Sequence, residues 1–256
     1  MMRTRKFEMG PHMLLLLSLA LSGCSSQQHL PPPDQDPYEN VNRKVFWVND
    51  QLDTHALVPA AKGWNKVVPK PAQRGLHNFF QNLRFPIVLV NDILQGEPRW
   101  ALETIARFQA NTLMGGLGFF DVAADWGVPP HVQDTGLTFA RWGIASGPYL
   151  VLPFFGPSTP RDAVGLAGDG ALTIYPYFIT VPWATVIASA VDVVNTRARY
   201  LEPSLRAKEA ALDYYTFVRN AYIQRRTREI QGKAPSPTDE DLYDEENLEQ
   251  YLEEGE

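Results

Sequence analysis

Residues 142–162 read Trp-Gly-Ile-Ala-Ser-Gly-Pro-Tyr-Leu-Val-Leu-Pro-Phe-Phe-Gly-Pro-Ser-Thr-Pro-Arg-Asp, and no charged side chain occurs from Trp142 to Pro160. Such a stretch approaches the length of a transmembrane helix, which takes about 20 apolar residues. Pro148, Pro153 and Pro157 argue against a spanning helix, because each removes a backbone donor and interrupts the helix. We therefore expect an irregular segment that is either buried in a core or held at a membrane boundary by surrounding protein.

A second uncharged stretch runs from Gly170 to Val191 and is also rich in aromatic residues and proline. Pro176 and Pro182 interrupt it in the same way, so a spanning helix is again disfavoured. Burial in a soluble core and a position beside a bilayer are both open alternatives. The density of Trp and Tyr suits the headgroup zone of a membrane.

Apolar residues at helical spacing dominate the rest of the chain, which predicts an all-α fold with irregular loops rich in Pro and Gly. The pattern predicts helices over Val41–Leu52, Pro71–Leu83, Pro86–Gln95, Pro98–Leu113, Ser158–Leu172, Ala184–Tyr200 and Pro203–Gln231. On the helix that begins at Pro98, Glu103 and Arg107 are four residues apart, so we expect them to pair.

The N-terminal 23 residues have the order of a lipoprotein signal peptide. Three basic residues before position 7 precede an apolar run, Met13–Leu21, and small residues then lead to Cys24. Cys24 is the only cysteine of the chain and cannot form an internal disulfide, which favours acylation of its thiol. An ordinary secretory signal with an unmodified cysteine is the alternative. Ser25 follows the cysteine and resembles the signal for the outer membrane, where Asp would favour the inner membrane.

Charge is unevenly distributed along the chain, whose formal net charge is −6. Residues 239–256 hold ten acidic side chains and no Lys or Arg, whereas residues 24–238 carry a net charge of +2. The body therefore lacks the clustered excess of Lys and Arg that nucleic-acid binding requires. We expect residues 233–256 to form a disordered acidic tail, with binding to a partner as the alternative.

These boundaries predict four parts. Residues 1–23 are the signal peptide, residues 24–36 a lipidated, proline-rich tether, and residues 37–232 a helical domain that precedes the acidic tail.

An ordered series of motifs along the helical domain resembles the MlaA (VacJ) lipoproteins of Gram-negative outer membranes. Its earlier members are Asn42-Arg43, Asn78-Phe79, Asn91-Asp92, Arg107-Phe108, Gly115-Gly116 and Phe120-Asp121-Val122-Ala123. The most specific part runs from Trp142-Gly143 through Gly147-Pro148-Tyr149 and Gly156-Pro157-Ser158 to Arg161-Asp162. One departure is the Asp-Thr-Gly-Leu-Thr-Phe of residues 134–139, where the family usually has Asp-Phe-Gly-Gln-Thr-Leu.

The resemblance implies a ring of amphipathic helices that lies in the membrane plane, in the inner leaflet of the outer membrane, around a central channel for one phospholipid. The family removes phospholipids mislocated in the outer leaflet and hands them to a periplasmic carrier, which maintains lipid asymmetry. Family members sit against trimeric porins. The resemblance therefore implies phospholipid as the ligand, a covalent lipid on Cys24, and neither a cofactor nor a metal.

Two groups of residues are candidates for the channel. We expect Gly147 to Gly156 to form a loop that edges the passage and moves on glycine hinges; its candidate residues are Gly143, Gly147, Pro148, Tyr149, Gly156 and Pro157. Tight packing is the alternative role for these glycines. Arg141, Arg161 and Asp162 flank the first uncharged stretch and are candidates for headgroup contact, with structural ion pairing as the alternative.

An enzyme and a structural scaffold are the alternative classes of protein. The histidines that follow Cys24 lack metal-ligand spacing, and Ser146 lacks the Gly-x-Ser-x-Gly pattern of a hydrolase nucleophile. Asp121 and Asp125 are four apart on a predicted helix, as paired carboxylates can be, although such pairs are more often solvated. A scaffold would be expected to carry a long coiled coil or a peptidoglycan-binding motif, and the sequence has neither. The sequence therefore favours a non-enzymatic transport protein.

Overall fold

The computed structural model describes residues 36–173 and 182–232, which form eleven helices and one antiparallel hairpin. The helices are α1 (Glu39–Leu52), α2 (Val58–Val67), α3 (Lys70–Leu83), α4 (Phe85–Leu94), α5 (Pro98–Leu113), α6 (Val122–Asp125), α7 (Thr135–Arg141), α8 (Pro160–Leu172), α9 (Pro182–Arg199), α10 (Leu201–Ala210) and α11 (Tyr214–Ile230). The strands are β1 (Leu150–Leu152) and β2 (Gly156–Ser158), and a π-helical turn, Asp53–Leu57, joins α1 to α2. The predicted all-α class is confirmed apart from the hairpin.

Several predicted parts lie outside the described residues. They are the signal peptide, Cys24, the tether as far as residue 35, the acidic tail, and the aromatic residues Tyr175, Tyr177 and Phe178 of the second uncharged stretch. These assignments stay predictions.

The hairpin is the element that the helical pattern did not predict. Its strands are three residues long, too short to show an alternating pattern, and Val151 lies opposite Pro157 in the register. Pro157 has no N–H, which suits it to an edge strand. The turn between the strands needs left-handed backbone at two residues, Phe154 (φ 67°) and Gly156 (φ 79°).

Two asparagines of α1 take the place of a third strand beside β1. Asn42 donates from Nδ2 to the carbonyl of Tyr149 and accepts at Oδ1 from the N–H of Val151, each at 3.0 Å. Asn49, two turns further along α1, donates to the carbonyl of Leu152 and accepts from the N–H of Phe154, each at 2.9 Å. These side-chain amides satisfy backbone groups that the two-stranded hairpin leaves unpaired, so the hairpin is joined to α1 by four hydrogen bonds.

The elements close into a ring. Contacts pass from α1 through α2, α9, α3, α4, α7 and α11 to the hairpin, and the hairpin packs back against α1. Around this circuit α5 packs on α4, α8 packs on α7, and α10 lies against α2 and α9. The ring-like arrangement that the sequence predicted is therefore confirmed.

Arg226 of α11 joins the ring where α7, α8 and α11 meet. Its guanidinium, 5% exposed, donates to both carboxylate oxygens of Asp134 (2.7 and 2.8 Å) and to Asp162 (3.0 Å). Tyr222 donates its hydroxyl to Asp162 at 2.6 Å. Burial alone would raise the pKa of Asp162, but the hydrogen bonds and charge of Arg226 outweigh burial and hold that pKa well below its usual range.

The approach of α7 to α8 depends on glycine. A Cβ on Gly165 would lie 2.5 Å from the backbone nitrogen of Gly136, so no larger residue fits there without separating the two helices. Thr135, at the point where the sequence departs from the family's usual motif, donates its hydroxyl to Asp169 at 2.7 Å. The departure therefore supplies a polar contact of its own between α7 and α8.

The single long helix predicted over Pro203–Gln231 is wrong, because α10 and α11 are separate. Asp213 begins α11 by accepting from the backbone N–H of Tyr215 at 3.1 Å, and it also pairs with Arg43 of α1. An aspartate is favoured at such an N-cap and disfavoured in a helix interior, which explains the break.

The first uncharged stretch is divided between core and surface. Tyr149 and Val151 are buried among Tyr215, Tyr222 and Ile223, whereas Phe154 and Phe155 are 77% and 70% exposed. Neither open alternative therefore holds for the whole stretch.

The exterior of the ring is apolar in several places. On α9, Trp183, Val186 and Ile187 are exposed at helical spacing, and α1 exposes Val41, Trp47 and Val48. Exposed apolar surface of this extent is typical of a contact with a membrane or another protein. Within the two described ranges, no helix has the length and apolarity needed to cross a bilayer.

We predict that Asn42→Ala destabilises the fold by roughly 2–4 kcal/mol, because it leaves a buried carbonyl and a buried N–H without partners. Asn49→Ala is the matched control: it removes the same two types of bond at the more exposed end of the hairpin, so we expect a smaller loss, about 1 kcal/mol. Urea unfolding in detergent, followed by circular dichroism, measures both. Equal losses from the two variants would contradict the role assigned to Asn42.

Candidate functional site: the cavity inside the ring

The ring encloses a cavity of about 730 Å³. Residues of α3, α4, α5, α7 and the end of α11 form its wall, together with the loop residues Asp121 and 130–133. A volume of this size lies within the range of about 300–1,000 Å³ that is typical of ligand-binding pockets.

The wall is amphipathic. Phe85 and Phe108 stack with their ring centroids 4.2 Å apart, and other apolar groups accompany them: Val88, Trp100, Val132, Leu137 and Ile230. Side-chain amides line the remainder of the wall: Asn78, Gln81, Asn82, Gln95, Asn111 and Gln133. The cavity therefore offers hydrogen bonds and apolar contact to the same ligand.

Sequence reasoning used the apolar faces of these helices and missed their polar faces. Asn78, Gln81 and Asn82 recur at spacings of three and four on α3, and Thr104, Arg107 and Asn111 do so on α5. That periodicity places each set on one helix face. A second, polar stripe at helical spacing was the signal that could have identified this wall.

Arg107 anchors the loop side of the cavity. It donates to both carboxylate oxygens of Asp121 (3.0 and 2.8 Å) and to the carbonyl of Val128. Asn111 also donates to Asp121, at 2.9 Å. The predicted pairing of Arg107 with Glu103 is wrong, because Glu103 pairs with Arg99.

Asp121 has a structural setting rather than that of a reactive carboxylate pair. It begins α6 by accepting from the N–H of Ala124 while Arg107 neutralises its charge. Asp125 lies at the far end of that single turn and is not among the residues that line the cavity.

A buried polar cluster lies in the wall between α4 and α5. The carboxylate of Asp92 is fully buried, accepts from the hydroxyl of Thr104 at 2.7 Å, and lies 3.1 Å from Nε2 of His131. The indole of Trp100 packs against the imidazole with a centroid distance of 4.3 Å. Thr104, His131 and Trp100 face the cavity, so this cluster fixes the loop at residue 131 to the wall.

His77 on α3 is the second histidine of the wall. Burial lowers its pKa to about 4, and the positive charges of Arg199 and Arg84 act in the same direction. Its imidazole is therefore neutral at pH 7. The described residues contain no group of three or more His, Cys, Asp or Glu side chains that could hold a metal ion.

The predicted headgroup residues are not brought together. Arg141 lines the cavity and pairs with Glu97 at 3.3 Å. Arg161 is 4% exposed and pairs with Asp162 at 3.0 Å, in the Arg226 cluster and away from the lining residues. Only Arg141 of the three has direct access to the cavity in this arrangement.

The predicted channel loop is connected to the cavity through α11. None of its six candidate residues lines the cavity; Tyr149 is fully buried in the aromatic cluster between the hairpin and α11. Ile230 contacts that cluster and also lines the cavity, so α11 is the element shared by the hairpin cluster and the cavity wall.

Gly147 has both a backbone conformation and a packing environment that favour glycine, which agrees with the packing role. Its φ of 74° favours glycine, and a Cβ there would lie 3.0 Å from the ring of Pro160. Whether the loop moves on its glycines stays a prediction.

Fold and cavity together define a ring-shaped helical protein with an amphipathic interior and a partly apolar exterior. The chain belongs to the MlaA lipoprotein family, whose sequence profile matches residues 34–229.

Individual relatives agree with this assignment. The chain is 36% identical over 219 residues to the intermembrane phospholipid transport system lipoprotein MlaA of Shigella flexneri, and equally so to that of Escherichia coli; each match covers 83% of this chain and 85% of the relative. A solved structure described as the structural basis for maintenance of bacterial outer membrane lipid asymmetry matches with a TM-score of 0.67 and 33% identity. That match covers 77% of this chain and 99% of the other.

We predict that His77 makes stability depend on pH between about 4 and 6.5. In this window the unfolded chain binds a proton at His77 and the folded protein does not, so the free energy of unfolding falls by up to about 3 kcal/mol as pH decreases. His77→Gln should flatten this part of the profile. Urea unfolding at several pH values tests it, with His55→Gln as the control because His55 lies on the exposed π-helical turn. An unchanged slope in His77→Gln would contradict the assignment.

Proposed function

We propose that this protein is a lipid-anchored component of the outer membrane that maintains lipid asymmetry. It extracts phospholipids mislocated in the outer leaflet through the cavity of the ring and passes them to a periplasmic lipid carrier. The observation that carries the proposal is an amphipathic cavity enclosed by a ring whose exterior exposes apolar side chains. The names of the relatives, which specify phospholipid transport, support it.

The physical problem for such a protein is the headgroup. A phosphate and its attached polar group lose hydration when they cross hydrocarbon, at a cost of several kcal/mol or more. Amides on α3, such as Gln81, offer replacement hydrogen bonds, while the stacked Phe85 and Phe108 offer apolar contact. A passage with both kinds of wall lowers this barrier without chemical change to the lipid.

The ring is proposed to lie in the inner leaflet with its helices in the membrane plane. Trp183 and Val186 on α9 and Phe154 and Phe155 on the hairpin would contact hydrocarbon or the headgroup zone, which suits exposed aromatic residues. Lipid on Cys24 would hold the ring at that surface. The family resemblance makes a trimeric porin and a periplasmic carrier the proposed protein partners, and no cofactor is proposed.

A non-enzymatic role agrees with the surroundings of the serine that was considered as a nucleophile. Ser146 is 4% exposed and donates its hydroxyl to the carbonyl of Gly147 at 3.2 Å. The relatives are named as transport-system lipoproteins. We therefore propose transport without catalysis, and we propose Arg141 as the headgroup contact because it alone of the predicted set lines the cavity.

We predict that the full chain restores outer-membrane lipid asymmetry in a Gram-negative strain that lacks its own MlaA. Cys24→Ala should fail, because the ring would lose its anchor, and Ser25→Ala is the matched control that should retain activity. Outer-leaflet phospholipid, measured by labelling of intact cells, is the readout. Equal restoration by Cys24→Ala, or fatty-acid release by purified protein incubated with phospholipid, would contradict the proposal.

We predict that tying the hairpin to α1 stops lipid removal. The side chain of Asn49 already contacts the backbone of Leu152, so Asn49→Cys combined with Leu152→Cys is suited to a disulfide. The oxidised form should lose activity and the same protein after reduction should regain it, in the same cell-based assay. Full activity of the oxidised form would count against movement of the hairpin.

A further inference from the structure

The charged side chains of the cavity wall occur as pairs of opposite sign. Three of the four arginines that line the cavity contact carboxylates that also line it: Arg107 with Asp121 at 2.8 Å, Arg141 with Glu97 at 3.3 Å, and Arg225 with Glu229 at 3.7 Å. Glu229 is shared, because it also pairs with Arg226 at 2.9 Å. The fourth, Arg228, precedes Glu229 in the chain. This arrangement differs from an anion-binding site, where the arginine donors are directed at the ligand.

The histidines add little net charge to this wall. His77 is neutral at pH 7 because of its lowered pKa. The Nε2 atom of His131 lies 3.1 Å from the buried carboxylate of Asp92, so these two side chains pair within the wall. The lining holds four arginines and three carboxylates, so a ligand in the cavity meets a wall with only a small excess of positive charge.

Charge balance bears on which phospholipids such a wall favours. Diacyl phospholipids share a phosphodiester and differ in what it carries: phosphatidylethanolamine adds an ammonium group, whereas phosphatidylglycerol adds only hydroxyls. A wall with unpaired arginines would favour the anionic lipid, and a wall with unpaired carboxylates would favour the lipid with the ammonium group. Selectivity depends on the difference between the binding free energies of the two lipids, and a wall with little net charge keeps this difference small.

We infer that the cavity takes zwitterionic and anionic diacyl phospholipids alike, and that Glu97 determines this breadth by neutralising Arg141. The inference rests on the proposed function, the passage of phospholipid through the ring. Glu97 is singled out because its pair is the one whose partners are both at least one-third exposed, with side-chain exposures of 49% for Arg141 and 36% for Glu97. The Arg107 pair, in contrast, also builds the loop and the start of α6.

The experiment identifies the headgroup of the lipid that occupies the cavity. A benzophenone amino acid replaces Val132, which lines the cavity and is half exposed, and the full chain is reconstituted into vesicles of equal parts phosphatidylethanolamine and phosphatidylglycerol with identical acyl chains. After irradiation, mass spectrometry gives the ratio of the two headgroups on the crosslinked protein. We expect the wild-type ratio to lie within about twofold of the ratio in the vesicles.

Two substitutions should change that ratio in opposite directions. Glu97→Gln leaves Arg141 without its counter-charge and should raise the share of phosphatidylglycerol about threefold, the size of effect expected for a partly exposed ion pair. Arg141→Gln should lower it by a similar factor. Glu103→Gln is the matched control, because it removes the same charge from the ion pair between Glu103 and Arg99. Both residues lie on α5 and neither lines this cavity, so the ratio should be unchanged.

The outcomes separate the inference from the function on which it rests. Crosslinked lipid that is at least tenfold enriched in phosphatidylglycerol in the wild type, or a ratio that Glu97→Gln leaves unchanged, would overturn the inference while supporting lipid passage. Absence of crosslinked lipid in the wild type and in every variant would overturn the proposed function and the inference with it.

Discussion

The buried guanidinium of Arg226 connects three elements that are far apart in the sequence. It holds the aspartate that caps α7 and the aspartate in the first turn of α8, while its own helix, α11, packs on the hairpin. Without compensation, a buried arginine would cost several kcal/mol, and the two partly buried carboxylates would add to that cost. Here the charges compensate one another through short, directed hydrogen bonds. The ring closes at this point because these groups are satisfied only when α7, α8 and α11 meet.

A ring closed by polar contacts is suited to a protein whose apolar side chains face outward. The aliphatic and aromatic cores are small: one lies between the hairpin and α11, and the other lies where α2, α9 and α10 meet. Much of the remaining apolar surface is exposed on α1, α9 and the hairpin. In water such an apolar surface would favour association between copies of the protein, whereas at a bilayer it can contact apolar lipid. Buried polar groups and exposed apolar groups thus occur together in this ring.

The cavity wall follows from the same design. Three amides on one face of α3 line the cavity, whereas α5 contributes the apolar Trp100 and Phe108 beside polar residues. The charged groups of the wall are largely paired within the wall itself, so a ligand meets aromatic rings, amides such as Gln81 and the half-exposed Arg141. A lipid can pass over such groups without being held by one strong interaction, because no single contact dominates.

Much of this protein is determined by its sequence alone. Helix positions followed from apolar spacing, and the prolines of residues 142–160 argued against a spanning helix, whereas the ring was implied by the family resemblance. Helix positions and proline interruptions depend on residues that are near one another in the chain, so they can be predicted from the spacing of residues in the sequence. The partners of the charged groups were a different matter. Asp162 pairs with Arg226, 64 residues away, and Asn42 holds β1 from 107 residues away. Only the tertiary structure could decide that Arg141 lines the cavity while Arg161 and Asp162 form ion pairs in the fold. Contacts between distant residues depend on ring closure, and they produce no periodic pattern in the sequence.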